Sequence, residues 1–149
     1  MTDRAGRMQR VARLSESAEQ RERRALGTVV EQLARERARL GELERYRTEY
    51  RGRNTADQRF AGAQWRDYQQ FLARLDQAID IQARVVADCE RRCEARRKAW
   101  AARRRECDSL ERVVDRLREQ AALERERRDQ GSEDEAATAM VLRGARGAS

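Results

Sequence analysis

A chain of 149 residues with 41% charged and only 39% hydrophobic side chains has little material for a compact globular core and suits long solvated helices. It contains no proline, so no residue breaks a helix covalently, and no histidine, so the commonest general base and metal ligand are both missing. The net charge of +7 arises from 34 basic against 27 acidic residues, largely interleaved, which weakens a nucleic-acid reading.

In chain order, Met8, Val11 and Leu14 come first, as loose apolar anchors. From Leu26, alternate steps of three and four residues reach Val29, Leu33, Glu36, Leu40, Leu43, Arg47 and Tyr50, mostly apolar, which is the seam of a coiled-coil helix over about 8–52. The stretch from Gly52 to Gly62 supplies turn chemistry through its glycines and Asn54, giving a turn at about 53–63, and Thr55 with Gln58 fits a capping box. A second seam opens at Trp65 and continues through Tyr68, Leu72, Leu75, Ile79, Gln82, Val86, Cys89, Cys93, Arg96, Trp100, Arg103, Cys107, Leu110, Val114, Leu117, Ala121 and Glu124. It keeps one phase for about nine heptads and predicts helix two over about 64–129.

A short connection between two long helices returns the chain antiparallel. The expected fold over residues 1–130 is all-α: an antiparallel coiled-coil hairpin in which helix two is the longer. Gly131-Ser132-Glu133-Asp134-Glu135 reads as a C-cap leading into a polar, disordered tail over 131–149. No apolar run approaches the roughly 20 residues of a membrane span and no signal-peptide core follows Met1, so a cytoplasmic location with three reduced cysteines is expected.

Placing Tyr50 opposite Trp65 makes facing residue numbers total about 115, which sets Leu26 beside Cys89, Met8 beside Cys107 and Glu19 beside Arg96. On that register Leu110, Val114, Leu117 and Ala121 find no partner on helix one. Leaving such a stripe in water costs about 1.5–3 kcal/mol per large side chain, so a second molecule is expected to cover it.

No glycine-rich phosphate loop is present, and with histidine absent no catalytic residue, cofactor or metal is assigned. Cys89 and Cys93, four apart, could in principle share a soft metal, but their seam positions favour packing as small apolar groups. The block Arg91–Arg105 holds eight cations and one anion; it fits phosphates, an acidic protein surface, or simply a solvated helix face. Tyr46 and Phe71 fall at g positions and meet on one flank with Ala78 and Val85, whereas the opposite flank carries Glu44, Arg51, Gln69, Asp76 and Glu90. An apolar flank set against a charged one is the pattern of a docking surface.

Arg45-Tyr46-Arg47-Thr48-Glu49-Tyr50-Arg51, then Trp65-Arg66-Asp67-Tyr68-Gln69-Gln70-Phe71-Leu72, Leu75-Asp76-Gln77-Ala78-Ile79 and Lys98-Ala99-Trp100, resemble in order and spacing the flagellar export protein family FliJ. The resemblance covers about residues 26–136. It implies a non-catalytic coiled-coil stalk of the flagellar type III export apparatus, in the cytoplasm and peripheral at the inner membrane's cytoplasmic face. The implied partners are the export ATPase ring, the cytoplasmic part of the export-gate membrane protein, and export chaperones. Carried over by residue, the gate contact falls on Leu43, Tyr46, Tyr50, Phe71, Leu75 and Ala78, with Arg39 and Gln82 departing from the family's Gln and His. The ATPase ring becomes the expected cover for Leu110, Val114, Leu117 and Ala121. The competing readings are the equivalent stalk of a virulence type III secretion system, a basic coiled coil that binds nucleic acid through Arg91–Arg105, and a homodimeric scaffold.

Overall fold

Runs of Ala, Arg, Glu, Leu and Gln uninterrupted by proline favour helix along the whole chain. The computed structural model is accordingly all-α; it describes residues 2–56 and 62–147. Helix α1 spans Thr2–Ala56 and helix α2 spans Gly62–Gly147, the two packing as an antiparallel hairpin with α2 the longer. Among the described residues no helix is long and apolar enough to cross a membrane.

Both helices exceed their expected bounds. Helix α1 begins before residue 8 and runs through Gly52 to Ala56, while the expected pairing of Thr55 with Gln58 falls outside the described residues. Helix α2 does not end near Asp129: the cap and disordered tail expected from Gly131 are replaced by helix up to Gly147, and no described glycine has positive φ. One glycine costs a helix only about 1 kcal/mol relative to alanine, and the Glu135-Ala136-Ala137 run beyond it favours continuation. Thr138 Oγ1 satisfies itself within the helix by donating to the Asp134 carbonyl at 2.8 Å.

The packing falls into two units, one formed by Gln20–Ala102 and the other by Met1–Glu19 with Arg103–Ser149. In the first unit, Leu33, Val86, Cys89 and Cys93 form the buried cluster, supported by Val29, Leu40 and Val85. All four lie on the expected seams, and the two thiols pack there as small apolar groups. One polar layer interrupts this core: Gln82 Nε2 donates to the Glu36 carbonyl at 3.0 Å and to its carboxylate, which is only 12% exposed and also accepts from Arg39 at 3.3 Å.

That layer corrects the register. Glu36 meets Gln82 rather than Ile79, and Arg96 pairs with Glu22 at 3.7 Å rather than with Glu19. Within the Gln20–Ala102 unit facing residues are thus displaced by one seam step, about three residues, and Leu43 comes level with Leu75. A carboxylate and a carboxamide half-buried on opposing seams satisfy each other only when level, so polar pairing favours this register over its apolar neighbours.

In the second unit the buried side chains are Ala12, Ser15 and Glu19 on α1 and Cys107 and Val114 on α2. Ser15 Oγ lies 3.3 Å from Cys107 Sγ, and the Gln9 carboxamide lies against the Arg118 guanidinium, from which its oxygen accepts when the amide is turned to face it. Of the three expected anchors, Met8 is half-buried, whereas Val11 is 44% and Leu14 71% exposed. The three-four stepping carried from Leu26 towards the N-terminus lands on Glu22, Glu19, Ser15, Ala12 and Met8, so the seam keeps its phase but is built from small and acidic side chains.

Candidate functional site

Near the connection, in the Gln20–Ala102 unit, aromatic residues four apart on α1 meet residues three apart on α2. Tyr50 is the hub: its ring centroid lies 4.5 Å from that of Phe71, 5.3 Å from Tyr68 and 6.4 Å from Tyr46. Tyr46 meets Phe71 edge-on at 6.0 Å, the flank contact expected from helical phase, and Trp65 adds to the series through Tyr68 at 5.5 Å. Interlocked rings of this kind contribute about 0.5–1.5 kcal/mol per pair beyond burial and hold one another's orientation.

The six residues expected to form the gate contact are not equivalent. Tyr46 is 48% exposed; Leu43, Tyr50, Phe71 and Ala78 are half-buried; Leu75 is buried in the seam and supports the surface from beneath. Beside Tyr46 a shallow groove of about 420 Å³ opens between Arg39, Glu42, Leu43 and Gln82. Glu42 is the residue that sequence reasoning missed; it lies one turn from Tyr46 on the same face, a spacing that could have revealed it. On the charged flank, Asp76 pairs with Arg47, and Glu90 pairs with Arg37 at 3.2 Å across the two helices. Exposed pairs of this type contribute about 0–1 kcal/mol each, so they specify alignment more than stability.

The second candidate surface lies in the other unit. Leu110, Leu117 and Ala121 are half-buried, but Val114 is buried, which corrects the expectation that the whole stripe lacks an internal partner. In this unit Ser15 rather than Met8 lies beside Cys107, a larger displacement from the expected register, and Gln9, Ala12, Arg13 and Glu16 of α1 surround the Val114 level. Leu117 and Ala121 line an open groove of about 740 Å³ whose other wall is Asp3, Arg4, Ala5 and Arg7.

The arginine block is largely self-neutralised. Arg91 pairs with Asp88, Arg97 with Glu94 at 4.0 Å, and Arg96 with Glu22; in the other unit Arg103 pairs with Glu106 at 3.3 Å and Arg104 with Asp108 at 3.6 Å. Cations engaged in this way along one helix behave as a solvated face and present less free charge to phosphates.

No curated protein and no solved structure matches the chain. The family profile described as flagellar FliJ protein matches residues 4–146 of the 149, both helices included. With nearly its whole length matched, the chain belongs to the flagellar FliJ protein family.

Proposed function

We propose that this protein is a cytoplasmic stalk of the flagellar type III export apparatus that acts by contact with other proteins and performs no chemistry itself. In this reading the aromatic flank around Tyr46 docks on the cytoplasmic part of the export-gate membrane protein, and the paired helix ends dock on the export ATPase ring. The family assignment supports the export context, and the single observation that carries the gate contact is the exposed Tyr46 ring beside its groove. A rigid, half-exposed aromatic fixed by neighbouring rings loses little conformational freedom on docking, as interface hot spots require.

For the ATPase contact, the support is the apolar strip of Leu110, Leu117 and Ala121, with Val114 serving as the packed residue beneath it. Helix ends presenting such a strip suit a helix-in-groove mode of binding. The test is a pull-down from a motile source strain with the intact chain and with Leu110→Asp plus Leu117→Asp. The intact chain should retain both the ATPase and the gate protein, and the variant only the gate protein. Recovery of neither by the intact chain refutes the proposal, and ATPase recovery by a normally helical variant refutes the placement of that contact.

A further inference from the structure

In the unit formed by Met1–Glu19 and Arg103–Ser149 the two sides of the seam are built differently. Residues one position after the seam meet across the helices, Gln9, Arg13 and Glu16 on α1 with Glu111, Asp115 and Arg118 on α2, and that flank carries no large apolar side chain. Residues one position before the seam share the opposite flank. They are Arg4, Arg7, Val11, Leu14 and Ala18 on α1, and Ser109, Val113 and Arg116 on α2. Val11 and Leu14 are exposed, whereas Ala18 and Val113 are half-buried.

With Ser15 beside Cys107, Leu14 comes level with Ser109, Val11 with Val113, and Arg7 with Arg116. The valley between the helices is therefore apolar along its middle, and the small side chains of Ala18 and Ser109 leave room there for a third backbone. Arginines rim it, with Arg4, Arg7, Arg10 and Arg116 towards one end and Arg105 at the other. Two acids stand beside these five cations, Asp3 and Glu106, and Glu106 is already paired with Arg103 at 3.3 Å. Among the described residues none of the five is ion-paired.

We propose that this flank binds an acidic amphipathic helix of a partner protein, its apolar side chains over Val11 and Leu14 and its carboxylates at the arginine rim. Exposed apolar residues at Val11, Leu14 and Ala18, three and four apart, are the pattern of helix-in-groove docking. Charge selects the occupant. Arg7 and Arg116 lie level on one flank, and like charges so placed repel unless an anion stands between them. A second copy laid on the flank in either direction would bring arginine against arginine, which excludes self-pairing there. The flank lies beside the strip of Leu110, Leu117 and Ala121 and does not depend on the ATPase or gate contacts.

The test is fluorescence anisotropy of the full chain with a labelled synthetic peptide of about 20 residues, leucines at three-four spacing on one face and glutamates beside them. The same peptide with lysine in place of glutamate is the comparison. The acidic peptide should bind, more weakly as salt is raised, and the basic one should not. Val11→Asp with Leu14→Asp should weaken binding at least about tenfold with helicity unchanged, and so should Arg7→Glu with Arg116→Glu. Arg127→Glu with Arg128→Glu makes the same change of net charge elsewhere on the exposed surface and should leave binding within about twofold. No binding of the acidic peptide overturns the proposal, as does equal binding of both peptides. Equal loss in the Arg127 and Arg128 variant also overturns it, since that is attraction by net charge alone. Vesicles containing phosphatidylglycerol that bind the chain in place of the peptide, and lose it in the Val11 and Leu14 variant, overturn it in favour of a lipid surface.

Discussion

Replacing Tyr46 with alanine separates docking from packing more cleanly than any other change at the hairpin's aromatic flank. The ring is 48% exposed, so roughly half of a tyrosine's surface, on the order of 100 Å², remains available to a partner. At about 25 cal/mol per Å², covering that surface is worth about 2.5 kcal/mol, and its loss should raise the gate protein's Kd by roughly 50-fold. Folding should suffer less, because Tyr46 contributes only two ring contacts, at 6.0 and 6.4 Å, at the edge of the cluster. Phe71 is a poorer probe: its ring lies 4.5 Å from that of Tyr50, and its removal would loosen the hub. Trp65 supplies the control, since it is equally exposed and aromatic yet stands outside the flank. Titration calorimetry of Tyr46→Ala and Trp65→Ala against the cytoplasmic part of the gate protein, with circular dichroism on each, decides the matter. Binding of Tyr46→Ala within twofold of the unsubstituted chain, or an equal loss in Trp65→Ala, would refute the reasoning.

Three further outcomes follow from the packing. In a chain otherwise freed of cysteine, Leu43→Cys with Leu75→Cys should oxidise within one molecule faster than Leu43→Cys with Leu72→Cys; the reverse order on a non-reducing gel would restore the register expected from sequence. Gln82→Leu strips the half-buried Glu36 carboxylate of a donor and should lower stability by about 1 kcal/mol, while Glu36→Leu with Gln82→Leu together should recover most of it; equal melting of the single variant and the unsubstituted chain would remove the polar layer's role. Leu33→Ala should cost about 2–5 kcal/mol in chemical denaturation and Leu14→Ala less than about 0.5 kcal/mol, and comparable losses would mean that Leu14 is a seam residue after all.

The phase of α2 is legible in the sequence, because Leu75, Val86, Cys89, Cys93, Cys107 and Val114 recur at the steps of a coiled-coil seam, and periodicity of that kind is a local property of the chain. The meeting of Tyr46 with Phe71 follows from the same phase once the helices are taken as antiparallel. The course of α1 near its start is not legible, because its seam there consists of Ala12, Ser15 and Glu19 while Val11 and Leu14 point outward. A helix rotates as one body, so a neighbouring stretch with strong apolar contacts sets the phase and weaker local preferences yield to it.

Sequence by itself therefore determined the all-α class, the two helices, their order and the buried face of the longer one, since each rests on propensity and periodicity within a single segment. Family membership was likewise written in the order and spacing of residues along the chain. Register and coverage needed the tertiary structure, because a seam repeats every few residues and offers several nearly equivalent alignments. The Gln82–Glu36 layer and the Arg96–Glu22 pair chose among them in one unit, and in the other Ser15 came beside Cys107, Val114 was buried, and Leu123 and Met140 to Leu142 stayed in solvent. The boundary at Gly131 was decided in the same way: a glycine followed by acidic residues is compatible with either a cap or a continuing helix, and the backbone takes the latter.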